Sequence, residues 1–131
     1  MTVELVYLLL AALMVPGSKA PLFRAMSREK GGYDNRNPRT QQARMSGYGA
    51  RALAAHQNTI EAFPLFAAGL LAALWAGVDS VWVHTLSLTF LIARVIYVQL
   101  YLADSATLRS VVWAIGFFAC LGLIVLGIIG F

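Results

Sequence analysis

The stretch VVWAIGFFACLGLIVLGIIGF, residues 111–131, contains no charged side chain. At a rise of about 1.5 Å per residue, a helix of this length crosses the hydrocarbon core of a bilayer, which is about 30 Å thick. Three further segments are long and mostly apolar, and short connections force neighbouring helices into antiparallel order. The sequence therefore predicts an all-α, integral membrane four-helix up-down bundle, with spans at residues 3–26, 46–77, 81–102 and 108–131.

The composition of the whole chain also indicates a membrane protein. Its 131 residues are 60% hydrophobic and only 12% charged, which is too apolar for a soluble domain of this size. The first span is the weakest, because Pro16, Gly17 and Pro21 interrupt it. We expect it to be retained rather than cleaved as a signal peptide, because it carries Glu4 in place of a basic amino-terminal region. Residues 1–131 are predicted to be a single membrane domain.

Positive charge is concentrated in one part of the chain, and this concentration predicts the orientation in the membrane. Eight of the ten Lys and Arg residues lie between the first two spans or at their adjoining ends: Lys19, Arg24, Arg28, Lys30, Arg36, Arg39, Arg44 and Arg51. Basic connections stay on the cytoplasmic side, so we expect a basic cytoplasmic loop at residues 27–45 and both termini on the opposite side. In a bacterium, the membrane would be the inner one.

The same basic loop bears on partners and on local order. Its cations suit the anionic headgroups of membrane lipid. No nucleic-acid partner is expected, because the chain has no soluble domain to present a basic patch. Since the loop is rich in Gly and Asn and poor in apolar side chains, we expect it to order only partly by itself.

The second span carries several polar side chains. Arg51, Asn58 and Glu61 are separated by seven and three residues, so a helix places them on one face, and His56 points away from that face. A charge at mid-span costs on the order of 2.5–3.5 kcal/mol on insertion scales, and such groups normally face a protein interior or a watery cavity. The pattern therefore predicts a polar site inside the bundle.

The third span carries a second polar stripe, and the fourth begins with a charge. Arg94, Tyr97 and Tyr101 share one face by the same spacing, and Arg109 follows at the start of the last helix. One interpretation is structural: the polar side chains of the second span bond to Arg94 across the bundle, and the tyrosines belong to an interfacial belt. The other is functional: two stripes at the same end of the bundle form a site for a ligand with both positive and negative groups.

These two spans resemble the signatures of a known family. The run RALAAHQNTIEAFP, residues 51–64, resembles the second-helix signature of the MAPEG family, the membrane-associated proteins in eicosanoid and glutathione metabolism. The run ARVIYVQLY, residues 93–101, resembles the third-helix signature of the same family. The similarity extends over nearly the whole chain. Within the family, the chain resembles a bacterial-type member and is similar to microsomal glutathione transferase.

The resemblance implies an assembly and an activity. Family members are homotrimers of four-helix protomers that bind glutathione between neighbouring protomers near the cytosolic face. The chain is therefore expected to be a glutathione-dependent transferase or peroxidase, with glutathione as co-substrate. A lipophilic electrophile or hydroperoxide would arrive from the bilayer. The expected partners are further copies of the chain, membrane lipid and the lipophilic substrate.

The resemblance also assigns roles to individual residues. Arg109 resembles the arginine that stabilises the glutathione thiolate, and Glu61 suits the ammonium group of the tripeptide. A nearby arginine lowers the pKa of a thiol and makes it a competent nucleophile. The remaining residues expected to bind glutathione are Arg51, His56, Asn58, Arg94, Tyr97 and Tyr101. No metal site is expected.

One position departs from the family pattern. Glutathione-using relatives carry an arginine four residues before the Asn of the second span, and Ala54 occupies that position here. Loss of one charge-assisted contact weakens binding by about 1.5–3 kcal/mol, unless Lys19, Arg24 or Arg28 replaces it. Two alternatives to the enzyme also stay open, of which Ala54 favours the first. One is a non-catalytic, lipid-binding or scaffolding relative, and the other is a small transporter or channel subunit whose polar stripes line a path.

Overall fold

The computed structural model describes residues 2–78 and 81–130. This part of the chain contains α1 (Thr2–Ser27), α2 (Pro38–Arg44), α3 (Gly47–Trp75), α4 (Val81–Leu102) and α5 (Ala106–Ile129). Four of these helices, α1, α3, α4 and α5, are long and apolar enough to cross a membrane. The predicted all-α architecture with four long apolar helices is confirmed, and the protein is a multi-pass integral membrane protein.

The apolar core lies mainly where α3, α4 and α5 meet. The rings of Phe66 on α3 and Phe90 on α4 are stacked, with 4.2 Å between their centroids. Leu70 on α3 and Leu123 on α5 are both fully buried beside them. α1 packs chiefly against α3 and has a smaller contact with α4. The helices α3, α4 and α5 therefore contribute most of the buried core, and α1 packs on the side of α3.

Glycine allows α3 and α5 to approach each other closely. A Cβ atom at Gly69 would lie 2.9 Å from the carbonyl oxygen of Cys120, and one at Gly127 would lie 2.8 Å from the backbone of Ala72. Small residues are typical of helix interfaces in membranes, where packing rather than the hydrophobic effect drives association. This contact holds the second half of α5 against α3.

The connection between α1 and α3 differs from the sequence prediction. We expected a basic loop at residues 27–45 that orders only partly by itself, but the helix α2 lies within it. Gln41 on α2 explains this order, because its side chain is only 2% exposed. Its amide nitrogen donates hydrogen bonds to the carbonyl oxygens of Met26 and Gly32, and its amide oxygen accepts one from the backbone N–H of Asp34. One satisfied buried amide therefore ties the segment together in place of an apolar core.

Candidate functional site

The half of the bundle that contains the start of α3, the end of α4 and the start of α5 gathers most of the predicted site residues. α4 and α5 are joined there by a tight turn at residues 103–105, so the last turns of α4 lie beside the first turns of α5. Six side chains from these three helices line two adjoining cavities, and together they are called the polar site: Asn58, Glu61, Arg94, Tyr97, Tyr101 and Arg109.

Arg94 is the centre of the polar site. It is only 3% exposed, and its guanidinium is held on three sides. Nη1 donates to the side-chain oxygen of Asn58 at 3.0 Å, and Nη2 donates to the hydroxyl of Thr59 at 3.3 Å. The ring of Tyr97 lies against the guanidinium, with 4.2 Å between Cζ and the ring centroid. These contacts fix both the position and the plane of the cation.

Within the described residues, no counter-charge is in contact with Arg94. No carboxylate within the described residues lies at ion-pair distance from its guanidinium. Its Nε is buried and makes no hydrogen bond in this part of the chain. Burying a cation against neutral partners leaves much of its desolvation uncompensated. Arg94 is therefore suited to accept an anionic group that enters the adjoining cavity.

Asn58 connects Arg94 to the acid of the site. Its amide oxygen accepts from Arg94, and its amide nitrogen donates to Glu61 Oε2 at 3.3 Å. Glu61 itself is exposed. The site thus has a buried positive charge and an exposed negative charge that are separated by one amide, an arrangement that complements a zwitterionic ligand.

A stack of aromatic rings and guanidinium groups continues from Arg94 toward α5. The rings of Tyr97 and Tyr101 meet edge to face, with 5.6 Å between their centroids. Arg109 Cζ lies 4.1 Å from the centroid of the Tyr101 ring. Cation–π contacts of this kind contribute about 0.5–2 kcal/mol. The stack holds the two arginines at opposite ends of a tyrosine pair.

Two cavities open onto these groups. One has a volume of about 170 Å³ and is lined by Asn58, Glu61 and Arg94 together with apolar side chains that include Phe90. The other has a volume of about 240 Å³, and its lining residues are Asn58, Tyr97, Tyr101, Arg109, Ser110 and Trp113. The first therefore joins charged groups to an apolar wall, and the second is mainly polar.

The sequence analysis did not identify Trp113 and Thr59, which contact or adjoin the polar site. Trp113 lines both cavities, and its ring stacks on Phe117 with 5.1 Å between centroids. It lies four residues after Arg109, so helical spacing from that arginine could have identified it. Thr59, which bonds Arg94, carries no such signal, because a threonine next to Asn58 is equally suited to hydrogen-bond its own helix, as it does with Ala55.

Arg51 and His56 do not join the other predicted residues. Arg51 donates through Nε to the carbonyl oxygen of Leu102 at 3.4 Å, and its Nη1 lies 3.8 Å from Asp104. It therefore ties the start of α3 to the end of α4. The Nδ1 atom of His56 lies 2.9 Å from the Ser18 hydroxyl on α1. Neither residue lines the two cavities of this protomer.

The structure also locates Ala54 and the cations expected to compensate for it. Ala54 lies one helical turn before Asn58 on α3. Lys19, Arg24 and Arg28 line neither cavity of the polar site, and Arg24 lines a groove between α1 and α4 instead. Among the described residues, no group of three His, Cys, Asp or Glu side chains is placed to bind a metal ion.

Comparison with known proteins gives one match. The model of the MAPEG family matches residues 3–129, which is nearly the whole chain. No curated protein and no solved structure matches the sequence. The family match confirms the resemblance that the second and third spans predicted, and it covers all four long helices. The chain belongs to the MAPEG family.

Proposed function

We propose that the protein is a membrane-embedded, glutathione-dependent transferase or peroxidase that acts on lipophilic electrophiles or hydroperoxides. The separation of charge in the polar site carries this proposal: Arg94 is buried without a carboxylate partner within the described residues, Glu61 is exposed, and Asn58 bonds to both. Glutathione offers the complementary groups, since it has two carboxylates, one ammonium and one thiol. Family membership supports the same class of ligand.

In the proposed complex, Arg94 binds a glutathione carboxylate and Glu61 binds the ammonium group. The carboxylate supplies a counter-charge that Arg94 does not have among the described residues, and it gives the buried Nε an acceptor. The exposed carboxylate of Glu61 accepts hydrogen bonds from the ammonium at the rim of the cavity. Each such charge-assisted contact contributes about 1.5–3 kcal/mol to binding.

Arg109 is proposed to stabilise the glutathione thiolate. Its guanidinium lies over the Tyr101 ring and lines the polar cavity beside Tyr97. This stacking fixes the guanidinium plane and leaves its N–H groups available to an anion. The thiol proton passes to solvent, and the stabilised sulfur then attacks an electrophilic carbon. A sulfur–carbon bond forms while the bond to the leaving group breaks.

A homotrimer completes the proposed site. Within one protomer, no side chain of residues 27–45 lines the cavities of the polar site. This supports the proposal that a neighbouring protomer supplies the cation that is absent at Ala54. We further propose that the α1–α3 connection, with its many Lys and Arg residues, lies on the cytoplasmic side, as basic connections do. In a bacterium this places the protein in the inner membrane, with glutathione entering from the cytoplasm and the second substrate from the bilayer.

A second candidate function is non-catalytic lipid binding. Ala54 favours it, because the missing arginine is a direct contact in glutathione-using relatives. The hydrogen bonds from Arg94 to Asn58 and Thr59 also favour it, since they give Arg94 a structural role without a ligand. The two functions differ in whether glutathione is consumed.

Product formation separates the two functions. The detergent-purified protein is incubated with glutathione and either an aryl halide or a fatty-acid hydroperoxide, and the thioether conjugate or glutathione disulfide is quantified. We expect one of these products to form faster than in protein-free micelles, and Arg109→Ala to abolish the difference. If the rates with both second substrates equal those in protein-free micelles, the enzymatic function is rejected. Non-catalytic lipid binding then remains as the candidate function.

A further inference from the structure

A groove between α1 and α4 lies outside the polar site. It consists of two adjoining cavities of about 490 and 450 Å³, which share Leu10, Met14 and Val95. This α1–α4 groove exists because α1 packs closely on α3 but makes only a small contact with α4. Thr59 on α3 lines its wall.

The charged and amide side chains of the α1–α4 groove, Arg24 and Gln99, lie at one end. Arg24 lies in the last turn of α1, and Gln99 lies in the last turn of α4. Both side chains are exposed and line the larger cavity, and neither bonds to another side chain within the described residues. The smaller cavity, which continues toward the other end of the bundle, is lined only by Leu, Met, Ile and Val side chains.

The dimensions of the α1–α4 groove match one leaflet of a bilayer. From Arg24 to Leu10, α1 rises by about 21 Å, and from Gln99 to Leu88, α4 rises by about 16 Å. Half of a typical hydrocarbon core is about 15 Å thick. An acyl chain that begins at Arg24 and follows the groove therefore lies mostly within one leaflet. It extends past the membrane midplane by only a few ångströms.

We propose that the α1–α4 groove binds an anionic glycerophospholipid. The headgroup phosphate lies at Arg24 and Gln99, and one acyl chain lies along Met14, Val95 and Leu10. Charge complementarity selects this ligand, because a zwitterionic lipid fills the apolar part equally well but gains less from the arginine. A single basic residue at the membrane surface is expected to favour an anionic lipid by about fivefold.

The proposed lipid also contacts Thr59, the residue that bonds Arg94 from outside the polar site. Thr59 lines the α1–α4 groove and accepts a hydrogen bond from Arg94 Nη2 at 3.3 Å. Thr59 is only 3% exposed and also bonds the carbonyl oxygen of Ala55, so its orientation is fixed. An acyl chain in the groove therefore packs against the residue that positions Arg94.

Native mass spectrometry of the full-length protein tests this proposal. The delipidated protein is titrated with phosphatidylglycerol and, separately, with phosphatidylcholine that has the same acyl chains. We expect the wild type to bind phosphatidylglycerol about fivefold more tightly, and Arg24→Gln to bind both lipids equally. Arg28→Gln is the matched control and should keep the preference, because Arg28 is an exposed cation nearby that does not line the groove.

A second variant tests the location of the acyl chain. Gly17 lines the α1–α4 groove, and a Cβ atom there would have no neighbour within 4 Å. Gly17→Leu therefore places an apolar side chain where its Cβ atom has room, and it narrows the groove. We expect binding of both lipids to fall at least about tenfold, while the thermal unfolding temperature stays at or above that of the wild type because glycine is unfavourable within a helix. Equal affinity of the wild type for the two lipids would overturn the proposal. An equal loss of the preference for phosphatidylglycerol in Arg24→Gln and Arg28→Gln would also overturn it. So would unchanged lipid binding by a folded Gly17→Leu variant.

Discussion

Asn58→Ala removes the amide that connects Arg94 to Glu61 in the polar site. It removes the acceptor 3.0 Å from Arg94 Nη1 and the donor 3.3 Å from Glu61 Oε2. Hydrogen bonds to charged groups contribute about 1.5–3 kcal/mol each. Arg94 would keep only the Thr59 hydroxyl and the Tyr97 ring as partners. Because Arg94 is buried, we expect the free energy of unfolding to fall by about 2–3 kcal/mol.

Two assays measure this effect. In detergent, the thermal unfolding temperature of Asn58→Ala should fall by roughly 5–10 °C. In calorimetry, its dissociation constant for glutathione should rise by at least about tenfold, which corresponds to ~1.4 kcal/mol. Gln57→Ala is the matched control, because Gln57 is the exposed neighbour on α3 and forms no side-chain hydrogen bond within the described residues.

The comparison between the two variants can refute the reasoning. If Asn58→Ala unfolds at the same temperature as Gln57→Ala, Asn58 does not support Arg94 as the structure indicates. If the unfolding temperature of Asn58→Ala falls but its glutathione affinity does not, Asn58 has a purely structural role. The hydrogen-bonded group of Arg94, Asn58 and Glu61 is then not the glutathione-binding site.

Three further substitutions test separate parts of the structure. Arg109→Ala should abolish the ultraviolet absorbance of a bound thiolate and product formation, while the thermal unfolding temperature stays close to that of the wild type; unchanged turnover would refute the catalytic role. Glu61→Gln keeps the size of the side chain but removes the charge, so glutathione affinity should fall by about one to two orders of magnitude, or ~1.5–3 kcal/mol. Equal affinity in calorimetry would mean that Glu61 does not bind the ammonium. Gly69→Ala places a Cβ atom 2.9 Å from the Cys120 carbonyl oxygen, and the free energy of unfolding should fall by about 1–3 kcal/mol. An unchanged unfolding temperature would contradict the close approach of α3 and α5.

The sequence was sufficient to predict the architecture because long apolar runs leave few alternatives in a bilayer. A helix satisfies its own backbone hydrogen bonds, so a span such as residues 111–131 has almost no other structure available. The order of α2 was harder to predict. It depends on Gln41, whose side chain bonds three backbone groups that lie 7, 9 and 15 residues before it in the sequence. A pattern of polar residues does not reveal which of them will be buried.

The polar site was predictable only in part for a related reason. Helical spacing places Asn58 and Glu61 on one face, and the structure brings both to the Arg94 side of α3. The spacing of residues within α3 does not show which of them lie beside the end of a neighbouring helix. The end of α4 lies beside Arg51, so this arginine bonds Leu102 rather than the cavities within the protomer. The placement of such residues requires the tertiary packing.

Binding of glutathione is the central claim, and a calorimetric titration of the detergent-purified wild type tests it most directly. Glutathione and S-methylglutathione are titrated in parallel at several pH values. We predict saturable binding that becomes tighter for the free thiol as the pH rises, because only the free thiol can form the thiolate that Arg109 stabilises. At about 100 times the dissociation constant, the ligand should also stabilise the fold by ~2.7 kcal/mol. No heat and no thermal stabilisation up to millimolar glutathione would contradict the account.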